Sequence, residues 1–176
     1  HGLAVMAIRR AGHRGTRVGI AHNPSSRVPV IENEANIRAA EQSYRDSSSH
    51  LMDPLISGKY PEQWLKKVGS DAPRVEPGDM ETINQPLDFF GLNVYTGTFV
   101  EAADNETGYR LLPYTPTYPA GFVPWLRHVP QALYWNVRFL HTLYGCQSIF
   151  ISENGYAVAD DVKDGEVIDL DRVHYY

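Results

Sequence analysis

The chain has 176 residues and 43% hydrophobic content, enough for one domain with a real core. Its 16 basic and 21 acidic residues give a net charge of −5 spread without blocks, which leaves no footprint for nucleic acid and no basic patch for a membrane surface. The lone cysteine, Cys146, excludes an internal disulfide and a multi-cysteine metal site, and no run of about 18 apolar residues is present to form a membrane-spanning helix.

The opening residues His1–Ala11 place Leu3, Ala4, Ala7, Ile8 and Ala11 on one helical face, and Gly12 ends the helix. This helix begins at the first residue without a cap, and Asp169–Tyr176 reads as a helix just starting, so the chain looks like a piece of something larger. Arg17–His22 is a short strand bounded by Gly15 and by Asn23-Pro24. His22 and Asn23 stand where it leaves the core, and their simplest reading is as polar loop residues. Glu32–Leu51 is predicted as helix, with Ile37, Ala40, Tyr44, Ser47 or Ser48, and Leu51 on its inner face. A connection over Met52–Pro61 leads into a short helix through Trp64, Leu65 and Val68, where Trp64 reads as packing. Glu76-Pro77-Gly78-Asp79 is a turn, with Asp79 as cap of a helix over Met80–Ile83.

Asp88–Thr96 is an apolar strand that ends in polar and aromatic groups. Alternation puts Phe90, Leu92 and Val94 on one side and Phe89, Gly91, Asn93 and Tyr95 on the other. Thr98–Glu101 continues extended, Asp104–Gly108 turns, and Tyr109–Leu112 returns as a hairpin at the rim. Pro113–Pro124, with four prolines, is loop. Pro130–Tyr144 is helix with Leu133, Val137, Leu140 and Leu143 inward, ended by Gly145. Ile149-Phe150-Ile151-Ser152 then fits a buried strand that stops at Asn154-Gly155, a pair that tolerates a tight turn. Glu153 is left at the last position of that strand. In parallel α/β proteins this edge is where chemistry is done, so its carboxylate is a candidate nucleophile or base. The alternative is a carboxylate that caps the turn or pairs with an arginine. Tyr156–Val167 reads as a solvated surface loop, since Asp161, Asp164 and Glu166 lack the ligand spacing of a calcium loop.

The segments Asp88-Phe89-Phe90-Gly91-Leu92-Asn93-Val94-Tyr95 and Ser152-Glu153-Asn154-Gly155 occur in this order about 60 residues apart, with a helix between them. Together they resemble the sixth and seventh barrel strands of the family 1 glycoside hydrolases, the β-glucosidase family. One departure is Val94, where the family pattern often has a second tyrosine. Other segments resemble the same family: the strand before Asn23-Pro24, the Asp53-Pro54 to Tyr60-Pro61 connection, Trp125 followed by Pro130, and Asp169-Leu170-Asp171-Arg172 as a capped helix start.

The resemblance implies a fold and a chemistry. The fold is α/β, part of a (β/α)8 TIM barrel, with residues 1–176 as a single incomplete domain of about three β/α units, because a complete barrel needs about 250 residues. The chemistry is retaining β-glycoside hydrolysis through a covalent glycosyl-enzyme intermediate on Glu153. Tyr95 is expected to orient the nucleophile, and Asn93 and Trp125 to meet the sugar, the indole through apolar stacking. No metal and no cofactor is implied. The implied partners are a β-glucoside or related oligosaccharide and the remaining parts of the barrel, with no nucleic acid and no membrane. The family's acid/base glutamate belongs to an Asn-Glu-Pro motif that Glu32-Asn33-Glu34 and Glu76-Pro77 do not match, so the segment alone is expected to be inactive. A non-catalytic sugar-binding relative and a 6-phospho-β-glycosidase are the alternatives within this resemblance. No Gly-x-Ser-x-Gly or Gly-x-Gly-x-x-Gly motif points to another α/β enzyme. The compartment is left open, with the single Cys146 slightly favouring the cytoplasm.

Overall fold

A computed structural model describes residues 1–176. Helix α1 (Gly2–Ala11) leads into strand β1 (Gly19–His22) and the short strand β2 (Arg27–Pro29). Three helices follow: α2 (Glu34–Ser57), α3 (Glu62–Val68) and α4 (Asp79–Ile83). Next come β3 (Phe89–Asn93), β4 (Thr98–Ala102) and β5 (Tyr109–Leu111), then helix α5 (Gln131–Tyr144) and strand β6 (Ile149–Glu153). A small hairpin, β7 (Val162–Lys163) with β8 (Glu166–Val167), precedes the last helix, α6 (Leu170–Tyr175).

The frame is a parallel sheet in the order β1-β3-β6, with β3 in the centre. A second sheet runs β2-β4-β5, parallel at β2/β4 and antiparallel at β4/β5. Helices α2 and α5 cover the outer side. Phe90, Leu92 and Val94 of the β3 segment are buried there against Tyr44, Met52, Trp135, Phe139 and Leu140, as the alternation in the sequence predicts. The opposite side of β3, with Phe89, Asn93 and Tyr95, is half-buried.

Several expectations need correction. In α1 the buried residues are Gly2 and Val5, while Leu3 and Ile8 are exposed. Apolar residues surround much of this helix, so periodicity allows two faces; Gly2 settles the choice, because its backbone lies so close to the Thr82 carbonyl that a Cβ would clash. Helix α2 runs on through Pro54 to a left-handed Gly58 (φ 67°) instead of stopping at Leu51, which is exposed. Burial of Met52 and Pro54 offsets the hydrogen bond that proline removes. Helix α5 turns Ala132, Trp135, Asn136, Phe139 and Leu140 inward, and Val137 is exposed: the aromatic rings have more apolar area to bury than the predicted aliphatic stripe.

Other corrections concern strands and caps. Strand β6 pairs only with β3, so Phe150 and Ile151 are 50% and 42% exposed, not buried. Strand β2 was not expected, and the β7/β8 hairpin replaces the predicted loop. It turns through Asp164 and Gly165, both at positive φ. Asp79 is not a cap but accepts the Glu76 backbone N–H at 2.8 Å, closing the preceding turn. Asp169 occupies the N-cap position of α6 without a capping bond, because its carboxylate takes Arg172 Nη1 at 2.7 Å.

His22, at the end of β1, is 9% exposed and its Nε2 has no hydrogen-bond partner. Burial first, and the nearby His50 second, lower its pKa from the ordinary 6.5. The fold therefore prefers neutral imidazole, and the unfolded chain binds the proton more readily. Stability is full above about pH 6.5 and falls as the pH drops from there through the lowered folded value. Urea unfolding of a His22→Leu variant between about pH 5 and 8 is expected to show a flatter acid limb than the parent. An unchanged slope would exclude His22 as its source.

Candidate functional site

The three parallel strands bring their carboxyl ends to one side of the molecule. Asn23 follows β1, Asn93 and Tyr95 end the β3 segment, and Glu153 ends β6. A cavity of about 780 Å³ opens beside them, with Asn23, Asn93, Tyr95, Trp125 and Tyr156 among its walls. Arg27 is the one charged residue that lines it, and no carboxylate does.

Local sheet geometry decides where Glu153 points. The β3/β6 register runs Leu92↔Ile151 and then Asn93↔Glu153, which leaves Ser152 as an extra residue in β6. Ile149 packs on the helix-side core, so strict alternation would send Ile151 and Glu153 the same way. The bulge at Ser152 cancels one step of that alternation and brings Glu153 level with Asn93. Gly91 is needed beneath it: a Cβ there would lie 2.9 Å from Ser152 Oγ. Ser152 Oγ in turn donates to Asn93 Oδ1 at 2.7 Å.

The Tyr95 hydroxyl donates to Glu153 Oε2. This bond holds the phenol's pKa above its ordinary value of 10.0, with smaller contributions from burial and from the carboxylate charge. Glu153 is exposed, its carboxylate forms no ion pair, and its backbone carbonyl accepts the Val94 N–H at 2.9 Å. Glu153 is not itself in the cavity wall; Tyr95 is, so the carboxylate sits at the open edge of the sheet one hydrogen bond from the cavity.

The rim beyond Tyr95 is aromatic. Trp125 is 60% exposed and meets Tyr95 edge-on, centroids 6.0 Å apart and planes at 84°. The loop that carries it is pinned from both sides. Phe122 N–H donates to the Ala157 carbonyl at 2.7 Å, and Thr96 Oγ1 donates to the Arg127 carbonyl at 3.0 Å. Glu153, Tyr95, Asn93 and Trp125 are thus gathered at one end of the sheet.

The sequence reading overlooked three neighbours. Asn154 reaches back from β6 to the Val94 carbonyl at 2.7 Å. Tyr156 lines the cavity, and Tyr175 lies behind it at a ring distance of 4.6 Å. Only Asn154 carried a signal, as part of the Ser-Glu-Asn-Gly run, where it was read simply as a turn residue. No group of three or more His, Cys, Asp or Glu side chains is arranged to hold a metal ion, and no helix is long and apolar enough to cross a membrane.

The profile of glycosyl hydrolase family 1 matches residues 1–176. A β-glucosidase of Agrobacterium sp. is 33% identical over 181 aligned positions, which cover 100% of this chain and 39% of that protein. The structure of the virulence factor SghA from Agrobacterium tumefaciens superposes with a TM-score of 0.79 at 30% identity, again over 100% of this chain and 39% of the other; SghA has also been solved with its substrate analogue salicin. A 6-phospho-β-galactosidase of Clostridium acetobutylicum is 24% identical over 90% of this chain and 39% of its own length. The chain spans about two fifths of the length of these relatives. With its whole length matched and its strand-end carboxylate, phenol and indole gathered on one side, the chain belongs to glycosyl hydrolase family 1.

Proposed function

We propose that residues 1–176 form strands five to seven of a (β/α)8 barrel and supply the nucleophile of a retaining β-glycosidase that acts on β-glucosides. The observation that carries this reading is the hydrogen bond from Tyr95 to Glu153 across the carboxyl ends of two adjacent parallel strands, beside a cavity large enough for a sugar. The phenol occupies Oε2, which leaves Oε1 free to attack the anomeric carbon as the glycosidic C–O bond breaks. The departing oxygen takes its proton from a second carboxyl group about 5–5.5 Å from the first. That group then removes a proton from the water that releases the sugar from Glu153. No Asn-Glu-Pro motif occurs in these residues, so the acid/base is assigned to the part of the barrel outside them. Asn93 and Trp125 are the sugar contacts, the first by hydrogen bonding and the second through its exposed indole face.

The uncovered apolar surface supports the incomplete barrel. Phe150 and Ile151 on the free edge of β6, Leu3 on α1 and Val173 on α6 are all exposed. The remaining strands and helices would cover them. A 6-phospho-sugar is the second reading, raised by the Clostridium relative.

The test is trapping. The complete protein is incubated with a 2-fluoro-β-glucoside that bears a good leaving group, and the labelled peptide is sequenced. Label on Glu153 is the expected result. Label on another residue, or none while the substrate is still hydrolysed, would remove Glu153 from the role.

A further inference from the structure

Tyr175 lies on α6, outside the strands that carry the site. Its hydroxyl donates to the backbone carbonyl of Tyr95 at 2.9 Å and accepts from Asn154 Nδ2 at 2.8 Å. The same Asn154 nitrogen reaches the Val94 carbonyl at 2.7 Å. One phenol oxygen therefore links the residue that follows Glu153 to the backbone of the residue whose side chain holds the Glu153 carboxylate.

The ring is fixed as well as the oxygen. It stacks on Tyr156 at 4.6 Å and 18°, and His128 packs against it at 5.4 Å. The helix beneath it is fastened by Arg172, whose Nε donates to the Tyr156 carbonyl at 3.0 Å. The Arg172 guanidinium also pairs with Asp160 at 2.8 Å and with Asp169 at 2.7 Å. Polar links therefore tie Tyr175 and its helix to the segment that follows Glu153.

The brace spans an irregularity in the sheet. The β3/β6 ladder is interrupted between Leu92 and Asn93 and resumes at Asn93↔Glu153, where the Val94 N–H donates to the Glu153 carbonyl at 2.9 Å. We propose that Tyr175 is a positioning residue that fixes Tyr95 relative to Glu153 across this break. Its effect on turnover rests on the reading of Glu153 as nucleophile; its effect on the Tyr95–Glu153 pair does not.

The test uses Tyr175→Phe in the complete protein, which keeps the stacked ring and removes both hydrogen bonds. Two quantities are measured. The first is the phenol titration of Tyr95, followed by NMR of labelled tyrosine and assigned with Tyr95→Phe. It is expected to move down toward the ordinary tyrosine range, in the direction produced by Glu153→Gln. The second is inactivation by the 2-fluoro-glucoside. Its limiting rate is expected to fall about ten- to a hundredfold, while half-saturation changes less than about twofold. Should Tyr175→Phe fail to fold, Asn154→Ala cuts the other arm and carries the same expectation. A variant that lowers the melting temperature but leaves the Tyr95 titration and the inactivation rate at parental values overturns the proposal, because it makes Tyr175 a holder of α6 only. If the parent is labelled away from Glu153, the functional reading falls, and the Tyr95 titration still decides the brace.

Discussion

Glutamine at position 153 is expected to lower kcat of the complete protein toward β-glucosides by about 10⁴-fold or more, the scale seen when a covalent nucleophile is removed. The substitution is nearly isosteric, so the Tyr95 hydroxyl keeps an acceptor at the side-chain oxygen. The backbone bond from Val94 to the Glu153 carbonyl is untouched. Glu153 is exposed and has no ion-pair partner, so fold stability is expected to move by less than about 0.5 kcal/mol. The diagnostic pattern is a loss confined to kcat, with unfolding midpoints and ligand binding preserved. A Glu153→Gln protein that retains even a hundredth of parental turnover would show that another group attacks the sugar.

The second large effect lies in the core. Trp135→Ala is expected to destabilise the fold by about 3–5 kcal/mol, read as a fall in the urea midpoint. Trp135 is 1% exposed on the inward face of α5, with Phe139 5.2 Å and Tyr134 5.0 Å from it, ring to ring. Its removal leaves a void between α5 and the sheet that the neighbouring rings cannot close without giving up their own contacts. A loss of that size is a large fraction of the net stability of an ordinary domain. Phe122→Ala supplies the contrast: that ring is 72% exposed on the rim loop, and its truncation is expected to change stability by less than about 0.5 kcal/mol. Equal losses from the two would refute a core centred on Trp135.

The central strand was readable because its alternation is strict. Phe90, Leu92 and Val94 are apolar without exception, and all are buried. The strand that carries Glu153 was located correctly but misjudged in burial, since a sequence shows a strand's β-branched character and not how many neighbours pair with it. The faces of α2 and α5 are legible in part: Ala40, Tyr44, Ser48 and Leu140 are buried as expected, while Leu51 and Val137 are exposed. In α5 the aliphatic stripe and the aromatic pair Trp135 and Phe139 compete for the core, and only packing volume decides between them. The resemblance carried by the motif pair implies the contact of Tyr95 with Glu153, and the Tyr95 hydroxyl does donate to Glu153 Oε2. The link through Tyr175 was not legible, because it joins residues 80 positions apart through one hydroxyl.

The extra residue in β6 sets the parity of the site. Up to Ile151 the strand follows the pleat, and its side chains would pack alike whether or not Ser152 were present. Beyond that point one residue more or fewer exchanges the two sides of the sheet. Were Ser152 paired with Asn93 in an unbroken ladder, the next step would turn the Glu153 carboxylate toward the helix layer, on the side of Leu92 and Val94. With Ser152 present, regular pairing and a carboxylate within reach of the Tyr95 hydroxyl are thus mutually exclusive, and the irregularity is the price of that contact.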